Sequence, residues 1–472
     1  MIKLPDNSYN YVITRLTPDH REAHRMERLI LNDLLKWKES KHRKPLIIKG
    51  VRQVGKTWIL KEFGKRYYNS IAYFNFDEHE EYKQFFEKTK DVDRILQNLV
   101  MASGQNVKQQ ETLIIFDEIQ ECYDALNSLK YFCENAPGYH VACAGSLLGI
   151  ALSKPVSFPV GKVDFLDVRP MTFTEFLMAN GDGNLVEYMK QIEDLEPVPD
   201  AFFNPLCEKL KMYFVTGGMP EAVRAWTEER DVERIQQTLS NILGAYERDF
   251  AKHSEPKDFP KLSLIWKSIP SQLARENKKF LYRAVKGGAR AREYENALQW
   301  LCDATLTYKI YRSTAPGLPV SAYDDLSAFK LYLVDVGLLR RLSLLAPSAF
   351  GEGNRLFVEF KGALAENYIL QALLNQFEAI PRYWATDNPH HEVDYLVQRE
   401  NDIFPVEVKS GDNVEGKSLK TFAEKYGDQI KLRLRFSLQN LKLDGDLLNI
   451  PLFMADYADP LIGLALKRLG RG

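Results

Sequence analysis

Residues 45–57, PLIIKGVRQVGKT, have the types and spacing that predict chemistry most directly. Gly50, Gly55, Lys56 and Thr57 complete the pattern G-x-x-x-x-G-K-T, in which a glycine-rich loop holds the phosphates of a nucleotide. The glycines let backbone N–H groups curl around phosphate oxygens, and the following helix adds the partial positive charge of its N-terminus. Lys56 is expected to reach the β and γ phosphates, and the Thr57 hydroxyl to ligate Mg²⁺. The pattern therefore predicts a site for a nucleoside triphosphate.

The flanking residues supply the strand and the helix that this pattern needs. Residues 46–48 form an apolar run typical of a buried strand, and residues 57–63 have the spacing of a helix. The glycines then fall in the turn between strand and helix, so the whole loop is expected to line the nucleotide. The predicted nucleotide-binding residues are Gly50, Val51, Arg52, Gln53, Val54, Gly55, Lys56, Thr57 and Trp58.

Two carboxylates at the end of a later apolar run are the expected partners of this loop. Residues 113–116, LIIF, predict a buried strand, and Asp117 and Glu118 follow it directly. We expect Asp117 to hold Mg²⁺ together with Thr57, and Glu118 to orient or activate the attacking water. Carboxylates that close a strand can also be helix caps, which is the alternative interpretation of this pair.

Three further polar residues are candidates for the γ-phosphate. Ser146, just after the apolar run 141–144, would be a polar sensor, and an ordinary Gly-Ser turn is the alternative. Arg52 in the loop and Arg169 after the run 164–168 are candidate cations for the transition state. An arginine supplied by another subunit would serve equally well.

The first half of the chain alternates between apolar runs and stretches with helical spacing. This order is typical of an α/β fold, in which right-handed crossovers give a parallel sheet with its ligand at the carboxyl ends of the strands. We therefore predict the parallel sheet of a P-loop NTPase, flanked by helices. The predicted strands are residues 46–48, 71–76, 113–116, 141–144 and 164–168.

The composition narrows the class of protein. The length of 472 residues predicts about three domains, and the net charge of −1 provides no overall field that attracts nucleic acid. An odd number of cysteines without C-x-x-C spacing argues against a disulfide framework and against a zinc site. No signal peptide is evident, and no apolar run approaches the roughly 18 residues of a membrane span. We expect a cytoplasmic protein without a membrane partner, and its oligomeric state stays open.

Segments along the chain also resemble a known family. In order they read GVRQVGKT, LIIFDEIQ, AGSLLG, RPMTFTEF and GGMPEAV, followed in the second half by KLYLVDVGLL, EVDYLV and PVEVKSG. Together they resemble prokaryotic AAA-type ATPases whose C-terminal half is an uncharacterised domain. The resemblance implies an AAA-like sheet order, a winged-helix segment and a restriction-endonuclease-like α/β domain at the C-terminus.

Breaks in the pattern divide the chain into three predicted domains. The break at residues 253–257 and the glycines Gly351 and Gly353 mark the boundaries. The expected domains are an AAA-type P-loop ATPase domain with a helical lid at residues 1–252, a winged-helix-like connector at 253–350, and a nuclease-like domain at 351–472.

The connector carries a run of basic residues with one acid, Glu276. Three helices followed by a β-ribbon over residues 308–312 and 330–334 make this segment winged-helix-like, so the run would contact phosphates of DNA or RNA. A solvated helical face is the alternative, and winged helices also dock proteins. The basic residues are Arg275, Lys278, Lys279, Arg283, Lys286, Arg290 and Arg292.

Two acids and a lysine near the C-terminus have the residue types and spacing of a metal-dependent nuclease site. Asp394 and Glu407 lie in neighbouring predicted strands and would hold a divalent metal, while Lys409 would position or deprotonate water. This is the D…E-x-K arrangement of PD-(D/E)XK nucleases, with Glu366 as the upstream acid on a helix. Charged residues on a solvent-facing strand are the alternative.

Two other sets of C-terminal residues each have two interpretations. His390, His391 and Glu392 suggest a metal cluster, but neighbouring side chains in a strand point to opposite faces, which favours a loop or strand start. The alternating segment 431–436 sets three cations on one face, which would line a nucleic-acid groove or solvate an edge strand.

We interpret the chain as an ATP-hydrolysing protein that requires ATP and Mg²⁺. Three purposes fit the sequence. In the first, ATP turnover would drive metal-dependent binding or cleavage of nucleic acid by the C-terminal domain. In the second, the nucleotide would control a switch that docks DNA or protein through a catalytically inert C-terminal domain. A remodelling ATPase without nucleic acid is the third alternative.

Overall fold

The computed structural model describes residues 26–153, 158–275, 278–350, 358–386, 391–411 and 416–471. Within these ranges the strands form two sheets, one of five strands and one of eight. Glu276, His390, Gly351 and Gly353 lie outside the described residues. Among the described helices, none combines the length and the apolar character that crossing a membrane requires.

The first sheet is parallel, as the alternation of apolar and helical runs predicts. Its strands are β1 (Leu46–Lys49), β2 (Ser70–Asn75), β3 (Thr112–Asp117), β4 (His140–Ala144) and β5 (Asp164–Asp167). They lie in the order β2-β3-β4-β1-β5, and every neighbouring pair is parallel. The carboxyl ends of β1, β3 and β4 therefore meet at one edge of the sheet.

Helices cover both faces of this sheet and then continue as a helical region. Those of the first half are α1 (Ile30–Glu39), α2 (Lys56–Tyr67), α3 (Lys83–Glu87), α4 (Val92–Ser103), α5 (Tyr123–Asn135), α6 (Leu148–Ser153), α7 (Phe173–Ala179), α8 (Gly183–Lys190), α9 (Asp200–Thr216), α10 (Pro220–Glu229) and α11 (Val232–His253). Alternation along β1 separates two hydrophobic cores, because Ile47 packs with residues of α4 and α5 while Ile48 packs with residues of α2. This sandwich fixes the carboxyl edge where the loop lies.

The next segment has the helices and the ribbon that its sequence predicts. Its elements are α12 (Phe259–Leu273), α13 (Tyr282–Val285), α14 (Ala291–Asp303), β6 (Thr307–Ser313), β7 (Asp324–Leu333) and α15 (Val336–Leu342). β6 and β7 pair in antiparallel fashion. The assignment of this segment as a winged helix stays a prediction.

The second sheet combines this ribbon with the C-terminal strands. The remaining elements are α16 (Val358–Leu374), β8 (Arg382–Ala385), β9 (Glu392–Arg399), β10 (Asp402–Val408), α17 (Lys417–Tyr426), β11 (Arg433–Ser437), β12 (Lys442–Asp444), β13 (Leu447–Pro451) and α18 (Ala458–Arg468). The strand order is β12-β13-β11-β10-β9-β8-β6-β7, and β6 joins β8 through the pair Arg312 and Tyr383. The predicted boundary near residue 350 therefore lies between elements of one continuous sheet.

Candidate nucleotide-binding site

The glycine-rich loop connects β1 to α2 at the carboxyl edge of the first sheet. Gly50 has a φ of 151° and Gly55 a φ of 93°, values that residues with side chains rarely adopt. A Cβ on Gly50 would also collide with the carbonyl oxygen of Val168. The loop therefore needs glycine at Gly50 for two reasons, its backbone conformation and its close approach to the chain after β5.

Lys56 is folded back into this loop. Its Nζ donates to the carbonyl oxygens of Gly50 at 2.8 Å and Val51 at 3.0 Å, and the residue is 7% exposed. Burial lowers the pKa of Lys56 to about 8, although the charges of Glu118 and Asp117 favour its ammonium form. The ammonium group therefore lies at the loop, where phosphate oxygens would replace the two carbonyl oxygens as its hydrogen-bond acceptors.

Asp117 lies directly beside Thr57, as predicted for a magnesium pair. Thr57 Oγ1 donates to Asp117 Oδ2 at 2.8 Å, and the Tyr73 hydroxyl donates to the same oxygen at 2.8 Å. Burial raises the pKa of Asp117, and these two hydrogen bonds oppose that rise. A hydroxyl and a carboxylate in contact are hard oxygen donors of the kind that Mg²⁺ prefers, so the pair fits this ion.

Glu118 is held by the tip of the neighbouring strand. Its carboxylate accepts hydrogen bonds from Ser146 N at 3.0 Å, Ser146 Oγ at 3.0 Å and Gln120 Nε2 at 2.6 Å. Burial would raise the pKa of Glu118, but these hydrogen bonds and the charge of Lys56 bring it below its usual value. Ser146, the predicted γ-phosphate sensor, therefore contacts the predicted water-activating acid.

The two predicted transition-state cations are both engaged elsewhere. Arg52 Nη1 lies 2.7 Å from Asp249 Oδ1, and the Tyr246 hydroxyl donates to the Arg52 carbonyl at 2.9 Å. Arg169 Nη2 lies 3.8 Å from Asp167 Oδ2. Arg52 lines the cavity described below and Arg169 does not, so the structure brings only the first to the site.

Arg28 supports the loop from outside the predicted set. It is 5% exposed, and its guanidinium donates to Val54 O at 3.1 Å, Arg169 O at 2.7 Å and Glu175 Oε1 at 3.1 Å. Glu175 is itself held by the capping box at the start of α7, where Thr172 N donates to its second oxygen at 2.9 Å. No local pattern marks Arg28, because its partners are distant in sequence.

A cavity of about 450 Å³ lies over the loop. Most of its walls come from the loop, the ends of β3 and β4 and the first turn of α10. Arg224 of α10 is exposed, and among the described residues no hydrogen bond or ion pair engages its guanidinium. The lining residues are Met26, Arg28, Arg52, Gln53, Gly55, Lys56, Thr57, Trp58, Asp117, Glu118, Ser146, Pro220, Glu221 and Arg224.

The C-terminal acids are paired with cations from several elements. Glu366 Oε1 accepts from Lys278 Nζ, and Glu366 Oε2 accepts from the Tyr332 hydroxyl at 3.0 Å and lies 4.0 Å from Lys330 Nζ. Charges on both lysines hold the pKa of Glu366 below its usual value against the effect of burial. Burial and the neighbouring Glu366 raise the pKa of Asp394 to about 7. Glu366 is therefore neutralised by the protein itself.

Glu407 is buried beside two further cations. Its Oε1 lies 3.2 Å from Lys409 Nζ, and its Oε2 lies 3.6 Å from Arg435 Nε. Asp394 Oδ2, in turn, accepts from Val408 N at 2.8 Å. Among the described residues, no group of three His, Cys, Asp or Glu side chains is arranged to hold a metal ion. The assignment of Asp394, Glu407 and Lys409 to a nuclease site, with two carboxylates and a lysine, stays a prediction.

The predicted basic stripe is also paired. Lys431 lies 3.1 Å from Asp402, Arg433 pairs with Asp446, and Arg435 faces Glu407. These cations therefore do not form a free row for phosphates. His391 Nδ1 lies 3.3 Å from the Thr421 hydroxyl.

Three family models match successive parts of the chain. Residues 42–177 match the model described as AAA domain, which covers the loop, Asp117 and Ser146. This match, together with the strand, glycine-rich loop and helix that it covers, supports an AAA-type P-loop ATPase domain in this part of the chain. Beyond it, residues 207–349 match a domain of unknown function (DUF8612), and residues 361–453 match another (DUF4143).

Solved structures give more distant likenesses. A Walker-type ATPase of Pyrococcus abyssi has 15% identity and a TM-score of 0.44, with 70% of this chain and 99% of that chain covered. A Signal Transduction ATPase with Numerous Domains with a tetratricopeptide repeat sensor, from Pyrococcus horikoshii, has 12% identity and a TM-score of 0.25, with 76% and 48% covered. No curated protein matches the chain in sequence.

Proposed function

We propose that the AAA-type domain binds ATP with Mg²⁺ in this cavity and hydrolyses the bond to the γ-phosphate. The observation that supports this proposal most strongly is the 2.8 Å contact of Thr57 Oγ1 with Asp117 Oδ2, next to the buried ammonium of Lys56. A loop lysine, a hydroxyl and a strand-end carboxylate in contact are the parts that phosphoryl transfer in P-loop proteins requires.

In this mechanism the loop residues bind and orient the triphosphate. Lys56 exchanges its two carbonyl partners for β and γ phosphate oxygens, and the loop amides hold the remaining charge. Thr57 and Asp117 would hold Mg²⁺, which would supply positive charge to stabilise the triphosphate. The triphosphate is thereby fixed with its γ-phosphate toward Glu118.

Glu118 takes the proton of the attacking water. Its lowered pKa keeps the carboxylate ionised at neutral pH, as a proton acceptor must be. In the nucleotide-free protein, Ser146 and Gln120 donate hydrogen bonds to the Glu118 carboxylate. The attacking water would need one of these carboxylate oxygens as its acceptor. Arg224 is the cation best able to reach the transition state, since Arg52 is paired with Asp249.

Two variants test the assignment. Lys56→Ala is expected to lose ATP binding or turnover, and Glu118→Gln to keep nucleotide bound while hydrolysis falls by about 100-fold or more. Binding of labelled ATP and release of phosphate by the purified variants are the measurements. Hydrolysis at the wild-type rate by Lys56→Ala would remove the assignment, and wild-type turnover by Glu118→Gln would remove the role of that acid.

For the C-terminal domain, the contacts favour a docking platform over a nuclease. Lys278 and Lys330 pair with Glu366, and Arg435 Nε lies 3.6 Å from Glu407 Oε2, so cations outside the motif offset part of the negative charge that a metal ion would need. The sequence-based hypothesis of metal-dependent cleavage can be tested by incubating the protein with Mg²⁺ or Mn²⁺ and mixed DNA and RNA. Cleavage that disappears in Glu407→Ala/Lys409→Ala would restore the nuclease hypothesis, whereas intact nucleic acid that stimulates ATP hydrolysis would favour nucleic acid as the docked partner.

A further inference from the structure

The turn at residues 217–220, between α9 and α10, reaches from the helical region to the phosphate loop. Pro220 lies close to Gly55 in the cavity wall, since a Cβ added to this glycine would be 3.6 Å from Pro220 Cγ. Arg224 follows one helical turn later and lines the cavity. The position of this turn therefore decides where Arg224 lies relative to the nucleotide.

The N-terminus of α15 holds this turn by a buried carboxylate. Gly218 N donates to Asp335 Oδ2 at 2.6 Å, and Leu338 N donates to Asp335 Oδ1 at 2.9 Å as the cap of α15. Asp335 is 0% exposed, so no water competes for either oxygen. One carboxylate thus bonds the turn and caps the helix at the same time.

Two glycines let the backbones touch at this point. A Cβ on Gly337 would lie 2.6 Å from Gly217 Cα and 2.6 Å from Gly217 N, closer than real side chains approach. Arg340 of the same helix also donates to Val215 O at 3.0 Å. α15 therefore contacts both the end of α9 and the turn that follows it.

α15 is itself anchored to α16. Val336 N of α15 donates to Gln371 Oε1 at 2.9 Å, and Leu333 N, at the end of β7 just before α15, donates to Asn367 Oδ1 at 2.9 Å. Both acceptors are side chains of α16 that lie in the interior. The contact on the turn is therefore made by a helix that the second half of the chain holds in place.

We propose that Asp335 and Gly337 are positioning residues of the nucleotide site. They lie outside the AAA match at residues 42–177 and inside the match of unknown function at residues 207–349. In this role, the start of α15 holds the turn so that Pro220 lies close to the loop and Arg224 points into the cavity. The inference rests on the proposed ATP hydrolysis.

Gly337→Ala tests the contact sterically. Alanine favours a helix more than glycine does, so α15 itself tolerates the change while the added methyl group pushes the turn away. We expect kcat/KM for ATP to fall about tenfold or more. The matched control is Gly463→Ala in α18, where the nearest side-chain atom to the added Cβ is Arg399 Nη2 at 3.8 Å and activity should be unchanged.

Arg224→Ala separates positioning from general loss of structure. If the contact of α15 with the turn acts by placing Arg224, the double variant Gly337→Ala/Arg224→Ala should hydrolyse ATP no more slowly than Arg224→Ala alone. Losses that multiply in the double variant would overturn the proposed route. Asp335→Asn provides a second probe, because its amide cannot replace both acceptor oxygens, and it is measured if Gly337→Ala does not fold.

The outcomes distinguish this inference from the proposed function. If the wild-type protein does not hydrolyse ATP, the proposed function fails. If it does, and the folded Gly337→Ala or Asp335→Asn variant keeps the kcat/KM of Gly463→Ala, the positioning role is wrong. Losses that do not multiply when Arg224→Ala is combined with Gly337→Ala, or with Asp335→Asn where that variant is used, support the positioning role.

Discussion

At the scale of single residues, the most informative group is the buried Lys56. Its pKa of about 8 in the free protein lies well below that of an exposed lysine, because burial disfavours the charge. Phosphate oxygens would favour the ammonium again and raise the pKa on binding. Nucleotide binding should therefore take up a proton above pH 8 and none well below it.

The first prediction follows from this linkage. The affinity for ATP should be constant below about pH 7.5 and fall as the pH rises above 8, by at most about tenfold per pH unit. Calorimetry at pH 8.5 in two buffers of different ionisation enthalpy measures the proton uptake directly. Lys56→Arg is the matched control, because its guanidinium stays charged and should remove the uptake; equal uptake in both proteins would contradict the prediction.

The second prediction concerns Tyr73. Its hydroxyl donates to the Asp117 oxygen that also contacts Thr57, so it orients the carboxylate expected to hold Mg²⁺. Tyr73→Phe should raise the Mg²⁺ concentration for half-maximal ATP hydrolysis about tenfold. Titration of Mg²⁺ at fixed ATP measures this value. Tyr131→Phe is the control, because no described residue bonds the Tyr131 hydroxyl; an identical Mg²⁺ requirement in both variants would exclude the role.

Arg52, Gln53 and residues 55–58 of the loop, together with Asp117, lie around one cavity in the structure. A local sequence pattern marks these residues, and their roles stay predictions. Tyr73, Arg28 and Arg224 were missed, since each acts across a long distance in sequence. The alternation of β2 could have suggested Tyr73, because Asn75, two residues later, is in register with Asp117. No comparable signal identifies Arg28.

At the scale of elements, the side chain of Arg28 joins the first turn of α7 to the phosphate loop, because it contacts both. Arg28→Met would leave the Glu175 carboxylate buried without its cation, together with two unpaired carbonyl oxygens. The third prediction is a loss of about 3–5 kcal/mol in the free energy of unfolding, with weaker ATP binding. Urea denaturation and nucleotide titration measure the two effects.

Arg66→Met is the matched control for this variant. Arg66 also pairs with two acids, Glu27 and Glu62, but its side chain is 20% exposed and the Glu27 side chain is 43% exposed. Partly solvated pairs contribute roughly 1 kcal/mol or less. Equal losses for both variants would mean that Arg28 is no more than one ion pair among others.

Elements with continuous apolar runs were located closely from the sequence. The run 113–116 predicts a strand that spans Thr112–Asp117, because a strand buried on both faces contains little else. The ribbon strand β7 is longer than predicted, since it extends over Asp324–Leu333 and its first four residues, DDLS, are half-buried or exposed and lack an apolar alternation. Pairing with β6, rather than hydrophobicity, stabilises that part.

At the scale of the whole molecule, the second sheet continues across the predicted boundary near residue 350. A fragment of residues 1–350 would keep β6 but lose its partner β8, and the end of β7 and the start of α15 would lose the α16 side chains that anchor them. The fourth prediction is that this fragment aggregates or unfolds at lower urea than the full chain. Light scattering and denaturation of both proteins measure this; a monodisperse fragment of equal stability would contradict it.

The order of strands in this sheet could not be predicted from the sequence. Local patterns predicted β6, β7, β9, β10 and β11 but not β8, β12 or β13. The pairing of β6 with β8 joins residues about 70 positions apart through a single pair, Arg312 and Tyr383. The pairing of Lys278 with Glu366 is of the same kind. Contacts of this range depend on the complete packing, and no local pattern encodes them.

The exposed indole of Trp58 has a practical consequence. This side chain is 38% exposed and lies in the wall of the cavity, next to the loop that would hold the phosphates. Among the described tryptophans it alone lines that space, while Trp37, Trp266 and Trp384 are buried in the interior. The protein thus carries a built-in optical reporter: its emission should change as a nucleotide enters or leaves, so stopped-flow mixing could time each arrival and departure without an added dye.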